Sequence, residues 1–201
     1  LTRWSRDRMG RGGAGIKIRL VKGANLAMEQ VEASLRGWPQ APYTSKLQVD
    51  ANYKRMLEYA MRPEHAAAVR LGVASHNLFE IAYAMLLRQQ RGVQDRVEFE
   101  MLEGMANAQA IEVRQRTGGL VVYTPAVGEK EFEAAVAYLV RRLDENTAPG
   151  SFLGALFALQ EGSPQWNQQR DAFRAACELA GVCPRSESGD ELITRTDREA
   201  F

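Results

Sequence analysis

Four short runs rich in β-branched and other apolar residues recur along this chain, each followed by a stretch of helical periodicity. That alternation restricts the fold more than any other feature. Strands are predicted at Ile16 to Val21, Val69 to Ala74, Arg96 to Leu102 and Leu120 to Thr124. Helices are predicted over Leu26 to Leu35, Lys46 to Met61, Asn77 to Gln90, Ala106 to Arg116 and Glu129 to Glu145. This order builds parallel β/α units, and both a doubly wound sheet and a β/α barrel satisfy it. The polar residues discriminate. Arg19 and Lys22 close the first strand, Ser75-His76-Asn77 the second, Glu100-Met-Leu102 the third and Tyr123 the fourth. Side chains gathered at the carboxyl ends of successive strands are the barrel arrangement, so a TIM-type (β/α)8 barrel is expected, with about half of its units in this chain.

The first strand carries Lys17 and Arg19 on one face, and the third carries Glu98 and Glu100. Charges facing a barrel interior need partners, so pairing of these basic and acidic residues across the barrel is expected. Half a barrel would have two open strand edges and an uncovered interior, and would fold poorly alone. Together with a first residue that is Leu1 rather than Met, this suggests part of a longer protein. The expected organisation is a half barrel over 1–161, then a peripheral helix (Gln165 to Ala180) and a polar, linker-like tail within 162–201. A formal net charge of +1 creates no strong field, and the short basic stretch Arg3 to Arg11 shows no helix–turn–helix pattern, so no nucleic-acid partner is expected. Cys177 and Cys183 have neither zinc-ligand spacing nor nearby His partners, and are read as free thiols; no metal is expected.

Near the end of the alternating region, Tyr138, Arg141, Arg142 and Glu145 fall at i, i+3, i+4 and i+7, on one helix face. Paired guanidinium groups can grip a carboxylate through forked, charge-assisted hydrogen bonds, with the phenol ring as an apolar wall. The same face also reads as a solvated surface with an Arg141–Glu145 ion pair, the commoner case for such spacing. Three other motifs are equally ambiguous singly. Arg19-Leu-Val-Lys-Gly-Ala24 joins two cations to a glycine at a strand end, Ala74-Ser-His-Asn77 places an imidazole at the next, and Phe99-Glu-Met-Leu-Glu-Gly-Met105 is a strand and its turn.

Taken in order, these pieces, with Tyr43-Thr-Ser-Lys46, Tyr123-Thr-Pro125 and Tyr138-Leu-Val-Arg-Arg-Leu-Asp-Glu-Asn146, resemble the proline dehydrogenase domain, especially that of bifunctional bacterial proline utilisation enzymes. The resemblance runs from about Ile16 to Phe152. It implies a (β/α)8 barrel to which this chain supplies the fifth to eighth strands and the C-terminal helices. It implies FAD above the strand ends, L-proline as substrate, Δ1-pyrroline-5-carboxylate as product and a quinone as electron acceptor. A fused aldehyde dehydrogenase domain is a further implied partner, and a cytoplasmic location with peripheral contact at the inner membrane face is implied too. By the same resemblance Arg19, Val21, Lys22, Gly23 and Ala24 line the flavin, Thr44 and Lys46 reach its phosphate and ribose, Ser75 and His76 touch it from the next strand, and Glu145 meets the adenosine. Leu102, Tyr123 and Tyr138 would wall the proline ring, and Arg141 and Arg142 would clamp its carboxylate.

The chain departs from the family pattern in three places. Asn25-Leu26 stands where many members have Tyr-Trp, removing two rings near the flavin. The segment between Tyr123 and Tyr138 is longer, and the family's substrate-side lysine and aspartate have no counterpart, so no catalytic residue is assigned. These departures leave a second reading, a non-catalytic or decayed β/α fragment acting as a structural or interaction module.

Overall fold

The computed structural model describes residues 1–22, 26–40, 43–147 and 150–182; the side chains of residues 26–28, 141, 144–147 and 157 are not described. A short entry helix, α1 (Thr2–Gly10), precedes strand β1 (Ile16–Leu20). There follow α2 (Leu26–Arg36), α3 (Lys46–Ala60), the single turn α4 (Pro63–Ala66), β2 (Val69–Ala74) and α5 (Leu78–Gln90). Then come β3 (Val97–Leu102), α6 (Asn107–Thr117), β4 (Val121–Tyr123), α7 (Phe132–Thr147), the short α8 (Phe152–Ala155) and α9 (Pro164–Ala180).

The helix starts have local causes. The side-chain oxygens of Ser45, Asn77 and Ser163 accept from backbone N–H groups in the first turns of α3, α5 and α9, satisfying donors with no intrahelical partner. Gly118 and Gly181 end α6 and α9 in the left-handed region, at φ 78° and 67°, where a side chain would be strained. Two expectations are corrected. β1 stops at Leu20, leaving Val21 beyond the ladder, and the Glu129 stretch opens as a 3-10 turn before α7 begins at Phe132. The turn α4 had not been expected; Pro63 starts it with a fixed φ, and its N–H is not needed there.

The strands pair in parallel in the order β1-β2-β3-β4, without a reversal. A doubly wound sheet reverses its order at a switch point, whereas a barrel adds each strand beside the last. The registers Ile18↔Leu71, Leu71↔Val97 and Val73↔Phe99 put Ile18, Leu20, Leu71, Val73, Val97, Phe99 and Met101 on one face. Except for the half-buried Ile18, these join Tyr53, Leu57 and Met61 of α3, Ile81, Ala84 and Leu87 of α5 and Val113 of α6 in one core. Helix α9 closes over α3 and α5. Its Trp166 and Phe173 rings lie 4.9 and 5.9 Å from that of Phe79, and Arg55 of α3 donates to the carbonyls of Leu179 and Ala180 at its carboxyl end. Among the described residues no helix is long and apolar enough to cross a membrane.

Candidate active site

The other sheet face carries Lys17 and Arg19 from β1, Gly72 and Ala74 from β2, Glu98, Glu100 and Leu102 from β3, and Val121 and Tyr123 from β4. Here the expected pairing of charges is present. The fully buried Glu100 takes Lys17 Nζ at 2.7 Å on Oε1 and Arg19 Nε at 2.7 Å on Oε2, while Lys17 also reaches Glu98 at 3.0 Å. These bonds pass over β2 where it has no side chain. A Cβ on Gly72 would stand 2.0 Å from Glu100 Oε1, so glycine is what lets β3 carboxylates reach β1 cations. Desolvation opposes protonation of Lys17, but Glu100 and Glu98 outweigh it and hold the ammonium above its ordinary value.

Arg19 then continues to the far edge of the sheet, its guanidinium 4.1 Å from the centre of the Tyr123 ring. Three interstrand steps separate β1 from β4, about 14 Å along a flat sheet. A contact between their side chains places both leaning inward over a concave face. At the strand ends this gives a guanidinium over an aromatic ring, anchored at Nε and with both terminal amino groups free of hydrogen bonds among the described residues.

Lys22, just beyond β1, is held otherwise than a strand-end cation read from sequence. Its ammonium bonds Asp50 at 2.8 Å and Glu80 at 2.9 Å, and lies 5.4 Å from the Tyr53 ring centre. Asp50 also binds Lys46 at 2.7 Å, and Glu80 binds the fully buried Lys54 at 2.6 Å. Burial would lower Lys22 and raise Asp50, yet the opposite charges prevail, so Lys22 sits above its usual value and Asp50 below. The chain Lys46–Asp50–Lys22–Glu80–Lys54 fixes the segment after β1 to α3 and α5.

His76, after β2, is joined to two other elements. Its Nε2 accepts the Leu102 N–H at 3.0 Å, which assigns the proton of the neutral ring to Nδ1. Burial, and then the nearby Arg142, push the imidazole down to about 4, so it is neutral at ordinary pH. Nδ1 is buried and finds no hydrogen-bond partner among the described residues. Arg142 itself lies 5.0 Å from the Tyr138 ring centre, one turn back on α7. Because the folded value is depressed below the ordinary 6.5, the unfolded chain takes up the His76 proton first as pH falls. Stability from this group is therefore complete above about pH 7 and is lost on acidification towards about pH 4. The thermal midpoint of the complete protein should fall between about pH 7 and about pH 5, and His76→Asn should flatten that slope. An unchanged slope in the variant would remove His76 as its source.

The structure thus brings Arg19 to Tyr123, and His76 to Leu102 and Arg142, with Tyr138 beside the last. Ser75 stays local, accepting the Asn77 N–H at 3.1 Å, and Thr44 bonds Gln48 at the start of α3. Lys46 is committed to Asp50, and Val21 is exposed. Gly23 and Ala24, and the side chains of Arg141 and Glu145, lie outside the described residues. Asp50, Lys54 and Glu80 were not singled out in the sequence. Their signal was present: Asp50 and Lys54 fall on the buried stripe of α3 with Tyr53 and Leu57, where a charge requires a partner.

A family model described as proline dehydrogenase matches residues 1–155. The chain belongs to that family. It is 36% identical over 151 residues to the bifunctional protein PutA of Rhizobium meliloti, covering 71% of this chain and 12% of the relative. Proline dehydrogenase 2 of Bacillus subtilis (strain 168) is 29% identical over 136 residues, covering 67% of this chain and 39% of that protein. Among solved structures, proline utilization A (PutA) from Corynebacterium freiburgense superposes with a TM-score of 0.74 at 47% identity, over 89% of this chain and 16% of that one. The chain therefore spans well under half the length of these relatives. The four β/α units are part of a TIM-type barrel of the proline dehydrogenase kind.

The family is generally flavin-dependent, and the residues present suit such a group. His76 Nδ1 is a buried donor with no acceptor among the described residues, and Arg19 presents two amino groups at the end of β1. Neutral and cationic donors at the mouth of a barrel match the carbonyl-rich edge of an isoalloxazine.

Proposed function

We propose that this chain is the C-terminal half of the catalytic barrel of an FAD-dependent proline dehydrogenase, which oxidises L-proline to Δ1-pyrroline-5-carboxylate. The observation that carries the reading is the coincidence of the family match with a concave sheet whose strand ends bear Arg19, His76, Leu102 and Tyr123. FAD, when bound, accepts the hydride from the carbon next to the ring nitrogen. Arg19, Val21, Lys22, Gly23, Ala24, Thr44, Lys46, Ser75, His76 and Glu145 are the residues proposed to hold it. Arg19 supplies positive charge and His76 a neutral N–H. Lys22, neutralised by Asp50 and Glu80, serves to hold the backbone after β1 in place.

Arg141 and Arg142 bind the substrate carboxylate, and Tyr138, Tyr123 and Leu102 enclose the ring and exclude water. A neutral His76 beside Arg142 suits that site, since it adds no second charge next to the clamp. A quinone at the inner membrane face is the proposed final acceptor for an otherwise cytoplasmic protein, and a fused aldehyde dehydrogenase domain is the proposed consumer of the product. A non-catalytic module is less well supported, because it gives no reason for a buried donor without an acceptor at the strand ends. The complete protein is expected to be yellow and to bleach on anaerobic addition of L-proline. Absence of flavin after reconstitution, or a flavin that L-proline leaves oxidised, would refute the proposal.

A further inference from the structure

Among the described residues Glu100 is the one on the inner face that touches both β1 cations, and no role in binding substrate or cofactor is proposed for it. Its carboxylate is fully buried beneath Arg19, whose side chain is 39% exposed. One oxygen holds Lys17 and the other holds Arg19 Nε, so the carboxylate cannot rotate without breaking a bond. The Tyr123 ring meets the same guanidinium from β4. An arginine side chain has many rotamers to lose, and only a fixed one presents its charge at a constant place.

We propose that Glu100 is a positioning residue for Arg19, reaching it through the gap that Gly72 leaves in β2, and that it thereby sets how strongly the Arg19 charge acts on the group bound above the strand ends. This rests on the flavin reading given above. The quartet Lys17, Arg19, Glu98 and Glu100 carries two charges of each sign, so its action on a ligand depends on arrangement. With the carboxylate buried below and the guanidinium outermost, the positive end faces the strand-end site. Loosening Arg19 would swing that end away.

The test is the two-electron midpoint potential of the flavin in the complete protein, measured by equilibration with reference dyes. Glu100→Ala removes a negative charge, which by charge alone would favour the reduced flavin and raise the potential. It also releases Arg19, which lowers it. Positioning therefore predicts a fall, of about tenfold in the stability of the reduced form, or about 30 mV. Glu100→Gln keeps an acceptor for Arg19 Nε and is expected to stay at or above the parent value. Gly72→Ala keeps every charge and displaces chiefly the carboxylate, because its methyl would stand 2.0 Å from Oε1, while Lys17 Cε, at 3.1 Å, need give way only slightly. It is expected to lower the potential as Glu100→Ala does, and serves if that variant does not fold. A rise or no change in Glu100→Ala or, where that variant does not fold, in Gly72→Ala, or equal shifts for Ala and Gln at position 100, overturns the positioning role. A parent protein that takes up no flavin overturns the underlying reading with it.

Discussion

Glu80→Ala is expected to destabilise the complete protein by about 3–5 kcal/mol, the range for removing one partner of a buried ion pair. Glu80 opens α5 with its side chain 2% exposed, and its Oε1 accepts from both Lys54 and Lys22. The two lysines fare differently when it is gone. Lys22 keeps Asp50 at 2.8 Å and is partly accessible. Lys54 is fully buried and, among the described residues, keeps only the Phe173 ring, its centre 4.3 Å away, which is no substitute for a carboxylate. The loss therefore comes from an unpaired ammonium inside the protein. Lys54→Met with Glu80→Leu, which replaces the pair by apolar groups of similar size, should recover most of it. Urea unfolding measures both, through the midpoint at constant slope. A Glu80→Ala variant within about 1 kcal/mol of the parent would show that water reaches Lys54 and that the pair is not isolated.

That network also marks where sequence stopped being informative. The strand at Val69–Ala74 and the helices at Leu78–Gln90 and Lys46–Ala60 were legible because apolar period and capping residues agree within each segment. The charges on the inner face were legible as a demand for partners, since Lys17, Arg19, Glu98 and Glu100 all fall on one pleat face. What lets the pairs jump a strand was not, because the cause is a missing side chain, Gly72, whose meaning appears only with the β1-β2-β3 register. Lys22 was read as a bare cation beside a glycine; its partners lie 28 and 58 positions further along the chain, on α3 and α5. His76 was legible as a strand-end imidazole, but its tautomer follows from the Leu102 N–H, a long-range backbone contact. In each case the residue type was readable and its electrostatic state was set by tertiary neighbours.

Arg142→Met is expected to raise KM for L-proline by about one to two orders of magnitude while flavin content stays at the parent level. A charge-assisted hydrogen bond to a carboxylate contributes about 1.5–3 kcal/mol, which corresponds to that range. Its guanidinium stands by the Tyr138 ring and close enough to His76 to depress the imidazole, which ties α7 to the strand-end site. In the proposed clamp the carboxylate would be bound alike before and during hydride loss, so the variant should lose substrate affinity with kcat little altered, the signature of uniform binding. His76 supplies an internal control. Removing Arg142 takes away the second of the two causes that lower its pKa, so the imidazole should titrate at higher pH in the variant, though burial, the larger cause, keeps it below the ordinary value. Steady-state kinetics with L-proline and imidazole titration by NMR read the two effects separately. An unchanged KM with a raised imidazole pKa would keep Arg142 beside His76 but remove it from the substrate clamp.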